Sequence, residues 1–419
     1  MKDRPSLKLG ARVGIIDSHI DFGGKLQNKA FRNEECHIEI ESQELICETS
    51  HGRNFHTPAN QTKPNFIDEK SVEVIRYFNL VKKKKKNGFL NIFERKWMHE
   101  RHFDKDFVRQ LNIYRKNSHG THVAGIAASD NHDIELVQMS IIPYRSEHSE
   151  EPTIDLHNEK DSIPLTGEQM DEIEEELEKY LESISKQYQN IATYADFFEI
   201  KIINGSYGIP SFKESILKKC YKQNLRPPKV QISFLEQKYT QKFNKVIREK
   251  LEQSKDTLYI FAAGNDSKDI DQYPAMPASI KSEQTMTVAS VSKKLKLSDF
   301  SCWGKRSVDI AAFGENIRSL GAGDVNMIMS GTSQAAPQVT NVASKLKDRN
   351  KDLKPSEIKY ILMHTVDHIP SLKEKIKSGG ILNKDRALKA VSYFNNGSSI
   401  AHACSEAYSE FPEKFEQLD

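Results

Sequence analysis

The chain has 419 residues, 37% of them hydrophobic, with 61 basic and 59 acidic side chains and a net charge of +2. That length and apolar content support one large domain or two ordinary ones, and the near balance of charge argues against a dedicated nucleic-acid binder. The five cysteines (Cys36, Cys47, Cys220, Cys302 and Cys404) are odd in number and lack metal-ligand spacing, which speaks against a disulfide framework and for a reducing compartment.

The amino terminus, MKDRPSLKLGARVGIID, has no apolar h-region, and no later run reaches the length of a membrane span. A cytoplasmic protein with neither a membrane nor a nucleic-acid partner is therefore expected. Arg12 to Asp17 (RVGIID) is a short apolar run ending in a carboxylate, which reads as a buried parallel strand. Residues 22–110 show no simple period. Polar loops are expected there, with short strands at His37–Ile40 and Val72–Phe78; the run Lys82–Lys86 reads as a solvated loop, with a partner or nucleic-acid patch as its rival. Ser118 to Ser129 (SHGTHVAGIAAS) turns from polar to small and apolar, as a helix packed tightly on a sheet does. A strand at Leu136–Ile142 follows, then an acidic loop at 145–165. Thr166 and Gln169 form a capping-box pair. Beyond it Met170, Ile173, Leu177, Tyr180, Leu181 and Ile184 fall on one helical face.

A strand is expected at Glu199–Asn204, and residues 209–240 look like another insertion, after those at about 22–110 and 145–165, with Pro227 and Pro228 breaking structure. Phe243, Val246, Ile247 and Leu251 mark a helix. Strands follow at Thr257–Ala263, Thr285–Val291 and Val308–Ala312, and another at Met327–Ser330 leads into a helix of small residues, Gly331–Lys347. A last helix covers Pro355–Thr365. Residues 1–395 then form the main domain, and 396–419 a weakly structured tail. Strands that alternate with helices give an α/β class: a central, mostly parallel sheet with helices on both faces, enlarged by insertions. In such sheets ligands bind at the carboxyl ends of strands, where Asp17, Asn204, Ser206 and Asn265 all sit.

Hydrolysis of an amide by serine needs a hydroxyl, a base, a carboxylate to orient the base, and donors for the oxyanion. Ser333, in GTSQAAP, opens a helix, where its own N–H points outward. His119, in SHGTHVAG, opens another. Asp17 ends the first strand, and Asn265, in FAAGND, ends a later one.

These segments resemble the subtilisin-like serine peptidases. VGIIDSHID resembles the family's Asp segment, HGTHVAG its His segment, AAGN its oxyanion segment and GTSQAAP its serine segment, in the order Asp, His, Ser. The likeness covers residues 11–24, 117–142, 196–208 and 242–366. It implies peptide-bond hydrolysis through an acyl-enzyme, with Asp17, His119 and Ser333 as catalytic triad and Asn265 as oxyanion donor. It also implies that NGSYG pairs with the substrate backbone, so that Ser206, Tyr207, Gly208, Ala263 and Gly264 line the peptide. Gly264 is expected to leave room in the first specificity pocket for a large apolar side chain.

Some features depart from the family pattern. His19 stands where the family commonly has glycine, and Gln334 stands in place of methionine. Asp17 and His119 are 102 residues apart, so insertions must surround the cleft. His122 reads as a packed structural histidine, and His19 and Asp21 as loop residues. No metal or other cofactor is expected. Only 16 residues precede Asp17, too few for the folded prodomain of secreted members. Control by the insertions or by a protein partner is expected instead. The rival readings are a non-catalytic scaffold or peptide binder on the same fold, and the proteolytic effector of a larger bacterial system, such as one of defence.

Overall fold

A computed structural model describes residues 10–18, 20–22, 24–30, 37–39, 44–46, 52–54, 69–140 and 162–413. His19, Cys36, Cys47, His51, His56 and the expected acidic loop as far as residue 161 lie outside them.

Strand β1 (Arg12–Asp17) is buried along its whole length. Val13 and Ile15 face one layer of helices and Ile16 faces the other, which is why the run has no polar residue between Arg12 and Asp17. The short strands β2 (His37–Glu39), β3 (Glu44–Ile46) and β4 (Gly52–Asn54) come next. Three helices follow: α1 (Glu69–Asn87), α2 (Ile92–Phe103) and α3 (Lys105–Asn117). The strand expected at Val72–Phe78 and the loop expected at Lys82–Lys86 both belong to α1. The β-branched Val72, Val74 and Ile75 suggest strand, but five lysines are good helix formers and extend the helix to Asn87.

α4 (His119–Ala127) leads to β5 (Glu135–Ser140). α5 (Gly167–Phe197) begins at the expected capping box, with Thr166 Oγ1 accepting from Gln169 N and Gln169 Oε1 accepting from Thr166 N. β6 (Ile202–Gly205) follows. The stretch 209–240 holds α6 (Phe212–Lys222) and the first half of α7 (Lys229–Leu251), with Pro227 and Pro228 between them. Pro228 is the residue capping α7, a place where proline's fixed φ and missing N–H do no harm.

The second half of the chain supplies β7 (Leu258–Ala262), β8 (Thr285–Val291), β9 (Ile310–Phe313), a hairpin of β10 (Ile317–Leu320) and β11 (Asn326–Met329), then α8 (Thr332–Arg349) and α9 (Pro355–His364). β12 (Asp367–His368), β13 (Gly380–Ile381), α10 (Lys384–Asn395) and α11 (Ile400–Glu410) complete it. The tail is therefore not weakly structured over residues 400–410, because α11 buries Ala403, Cys404 and Ala407.

Nine strands form one sheet in the order β12-β13-β9-β8-β7-β6-β1-β5-β4. Every pair is parallel except β12 with β13. One face is covered by α4, α8, α9, α10 and α11, the other by α5, α6 and α7. The α/β expectation is met. After β5 the chain crosses to the opposite side of β1 to add β6, so strand order reverses there. The crevice above the ends of β1 and β6 is where such a fold binds ligands.

Candidate active site

Asp17 is the last residue of β1 and its side chain is fully buried. Its Oδ1 accepts from Ser18 N at 2.7 Å and lies 2.7 Å from His119 Nδ1. A carboxylate facing Nδ1 fixes the proton on that nitrogen and leaves Nε2 as the acceptor. His119 opens α4, and Ser18 locks the junction: its Oγ accepts from Gly120 N at 2.9 Å and donates to Asn117 O. The end of β1 and the start of α4 are thereby joined side chain to backbone. Burial disfavours the charged imidazole, but Asp17's charge and hydrogen bond more than offset it, so the His119 pKa lies above the ordinary histidine value. His122, one turn on, is fully buried. Burial first, and then the neighbouring His119, push its pKa down to about 4. It stays neutral and structural.

Ser333 is in the first turn of α8, where backbone N–H groups have no intrahelical partner. Four residues later stands Pro337, which has no N–H to offer the Ser333 carbonyl. That carbonyl takes its bond from Ser206 Oγ instead, at 3.0 Å. Ser206 Oγ in turn accepts from Asn204 Nδ2 at 2.9 Å, and Asn204 Oδ1 accepts from Thr340 Oγ1 at 3.0 Å. The Ser333 hydroxyl itself donates to Ser206 O at 3.3 Å. No hydrogen bond joins it to His119 among the described residues.

Asn265 lies just past β7, with its side chain exposed. Its Oδ1 accepts from both Thr332 N and Thr332 Oγ1, at 2.9 and 3.0 Å. A backbone N–H can only donate, so the atom facing Thr332 must be the oxygen. Among the described residues Asn265 Nδ2 makes no hydrogen bond, and Ser333 N lies in the first turn of α8, where N–H groups lack helical partners. A Cβ at Gly331 would stand 2.9 Å from Gln334 Oε1 and 3.3 Å from Asn265 Nδ2, so these side-chain ends would have to shift.

The segment expected to bind substrate divides into exposed and buried parts. Gly208 is exposed, whereas the Tyr207 ring is turned into the core, its hydroxyl 2.5 Å from that of Tyr188. Tyr207 thus offers the cleft only its backbone. Ala263 is buried, its N–H given to Val288 O. Gly264 has φ +108°, and a Cβ there would approach Cys302 Sγ to 3.1 Å. This glycine is required by its own backbone and by Cys302, besides any room it leaves for substrate. Asp21, read as a loop residue, accepts from Gly323 N at 2.7 Å. Thr340, Thr332 and Ser18 hold the site together, yet sequence reasoning does not single them out. Ser18 and Thr332 stand beside motif residues, but nothing local marks Thr340.

Likeness to known proteins points the same way. A family model described as the subtilase family matches residues 9–393. The chain is 33% identical over 138 residues to Subtilisin-like protease 2 of Plasmodium falciparum, a stretch that makes up 32% of this chain and 10% of that protein. It is 36% identical over 108 residues to the Cell wall-associated protease of Bacillus subtilis, covering 26% of this chain and 11% of that protein. The matches thus span only a small part of the length of either relative. The crystal structure of the A-subunit of the AB5 toxin from E. coli superposes with a TM-score of 0.51 at 18% identity over 94% of each chain, a likeness of fold. With a parallel sheet, a strand-end aspartate bonded to a helix-start histidine, and a family match along most of its length, the chain belongs to the subtilase family.

Proposed function

We propose that the protein is a serine endopeptidase that cleaves peptide bonds through an acyl-enzyme. Ser333 is the nucleophile, His119 the general base and then the acid, and Asp17 orients His119. Asn265 Nδ2 and the Ser333 N–H hold the oxyanion. The observation that carries the reading is the 2.7 Å contact between His119 Nδ1 and the fully buried Asp17. A buried carboxylate facing one ring nitrogen is what a base aimed at a serine requires, and it has little value to a protein that only binds peptides. The substrate strand is Ser206 to Gly208, with Ala263 and Gly264 opposite. No cofactor enters this chemistry.

Control by the insertions or a protein partner belongs to the same reading. It is supported by the packing of Val74, Phe107 and Tyr114 against Ala322, Val325 and Met327, shortly before Ser333. A cytoplasmic location is supported by Cys220, Cys302 and Cys404, all buried free thiols. The test is cleavage of a peptide library by the full chain, with Ser333→Ala as control. Serine-dependent cuts at internal bonds are expected. Cuts that persist in a folded Ser333→Ala protein would refute the assignment.

A further inference from the structure

The hairpin made by α1 and α2 has a core-facing end and a free end. The two helices run antiparallel, as three pairings fix: Arg101 with Glu73 at 2.9 Å, the Arg76 guanidinium over the Trp97 ring at 4.5 Å, and Lys83 with Glu94 at 2.6 Å. Val74 packs with Phe107 and Tyr114 of α3 and with Ala322, Val325 and Met327 around the β10–β11 hairpin. α2 itself buries no residue. The free end is therefore the turn between Lys82 and Phe93, reading KKKKKNGFLNIF, twelve residues without one acid.

This turn is built, not loose. Gly88 ends α1 with φ +78°, Leu90 is buried, and Asn91 and Glu94 form a capping box with bonds of 2.8 and 3.0 Å. What it presents is unusual for a free surface. Phe89 is 68% exposed, Ile92 67% and Phe93 79%. Lys82, Lys84 and Lys86 are exposed on the last turns of α1, the helix that leads into this turn. Large apolar side chains gathered at one exposed spot mark an interaction site.

We propose that this tip docks the protein on an anionic lipid surface. The fit is one of shape and charge together. Apolar side chains that project from a hairpin end enter the acyl boundary of a bilayer, while lysine stems let the ammonium groups rest at the level of the headgroup phosphates. Basic clusters of this size are drawn to anionic leaflets. A nucleic acid would use the lysines but give Ile92 and Phe93 no partner. No helix among the described residues is long and apolar enough to cross a membrane, and a peripheral contact needs none. The expectation of no membrane partner rests only on the lack of such a span. The docking does not depend on the peptidase reading.

Sedimentation of the full chain with vesicles tests it. Vesicles of phosphatidylserine and phosphatidylcholine should bind several-fold more protein than phosphatidylcholine alone, and binding should weaken as salt is raised. The triple variant Phe89→Ser, Ile92→Ser, Phe93→Ser should lower affinity for the anionic vesicles at least tenfold. The variant Lys82→Gln, Lys84→Gln, Lys86→Gln should abolish the preference for anionic lipid. All six side chains are exposed, so an unchanged thermal midpoint is expected. Val230→Ser with Phe234→Ser, at an exposed apolar spot on α7, should bind like the parent chain. Equal binding to both vesicle types, tip variants that bind like the parent, or tip variants that change only self-association or duplex DNA binding would each overturn the proposal.

Discussion

Ser333 is held from behind by a line of side chains that begins at Thr340. Pro337 leaves the Ser333 carbonyl without a helical donor, and Ser206, Asn204 and Thr340 meet that need in turn. Thr340→Val breaks the far end of the line. It should lower kcat several-fold with KM near the parent value, and Thr340→Ser should restore it. Steady-state kinetics with a peptide substrate reads both. Asn265→Ala removes one of the proposed oxyanion donors and should lower kcat by about 10²–10³ with little change in KM. That is the loss seen when subtilisin, of the same family, loses its corresponding asparagine. The pH profile follows from His119. In the proposed mechanism the neutral ring is the base, so kcat/KM should rise with pH through a pKa above the ordinary value of about 6.5. In Asp17→Asn the groups that raise this pKa are gone and burial remains, so the limb should move to lower pH while activity collapses. A limb that stays in place would contradict the Asp17–His119 pairing. At this scale the sequence is most informative, because each motif is local: HGTHVAG or GTSQAAP can be read without knowing what lies opposite. Thr340 cannot be read so, since its partner is 136 residues away.

Among the elements, α11 is the plainest case of a structure hidden in the sequence. Its apolar positions Ala403, Cys404 and Ala407 have helical spacing, and Ser399 caps it by accepting from His402 N, but small residues give a weak periodic signal. What ties this end of the chain down is Arg386, fully buried. Its guanidinium donates to Asp367, Val366 O, Thr365 O and Phe411 O and stacks 3.9 Å from the Tyr408 ring. Arg386→Met leaves the buried Asp367 carboxylate with Asn383 Nδ2 but without its cationic partner, and should cost about 3–5 kcal/mol in chemical denaturation. A loss under about 1 kcal/mol would show that the C-terminal helix is not anchored there. α2 carries the same capping-box signal that reveals α5, at Asn91 and Glu94. It is hard to see because the surrounding residues lack a clean apolar stripe. The start of α7 is hidden for another reason: a proline pair can open a helix as well as break one.

Over the whole molecule, the three-layer sheet sandwich follows from strand runs that are apolar on both faces, and these are legible. The placement of the insertions is not, because it depends on contacts between distant segments. α1 and α3 pack on the hairpin that leads to Ser333, while α3 runs through Ser118 into the helix that carries His119. The long insertion thus touches the segments that lead to both His119 and Ser333, a suitable place for the proposed control. The full chain alone should react slowly with a fluorophosphonate. Val325→Ala, which loosens this contact, should change that rate without changing which serine is labelled. The central claim is that Ser333 is an activated nucleophile, and mapping the fluorophosphonate adduct by peptide mass tests it most directly. The account predicts a single adduct on Ser333, absent in Ser333→Ala and strongly slowed in His119→Ala. An adduct on another serine, or none after prolonged incubation of the folded chain, would contradict it.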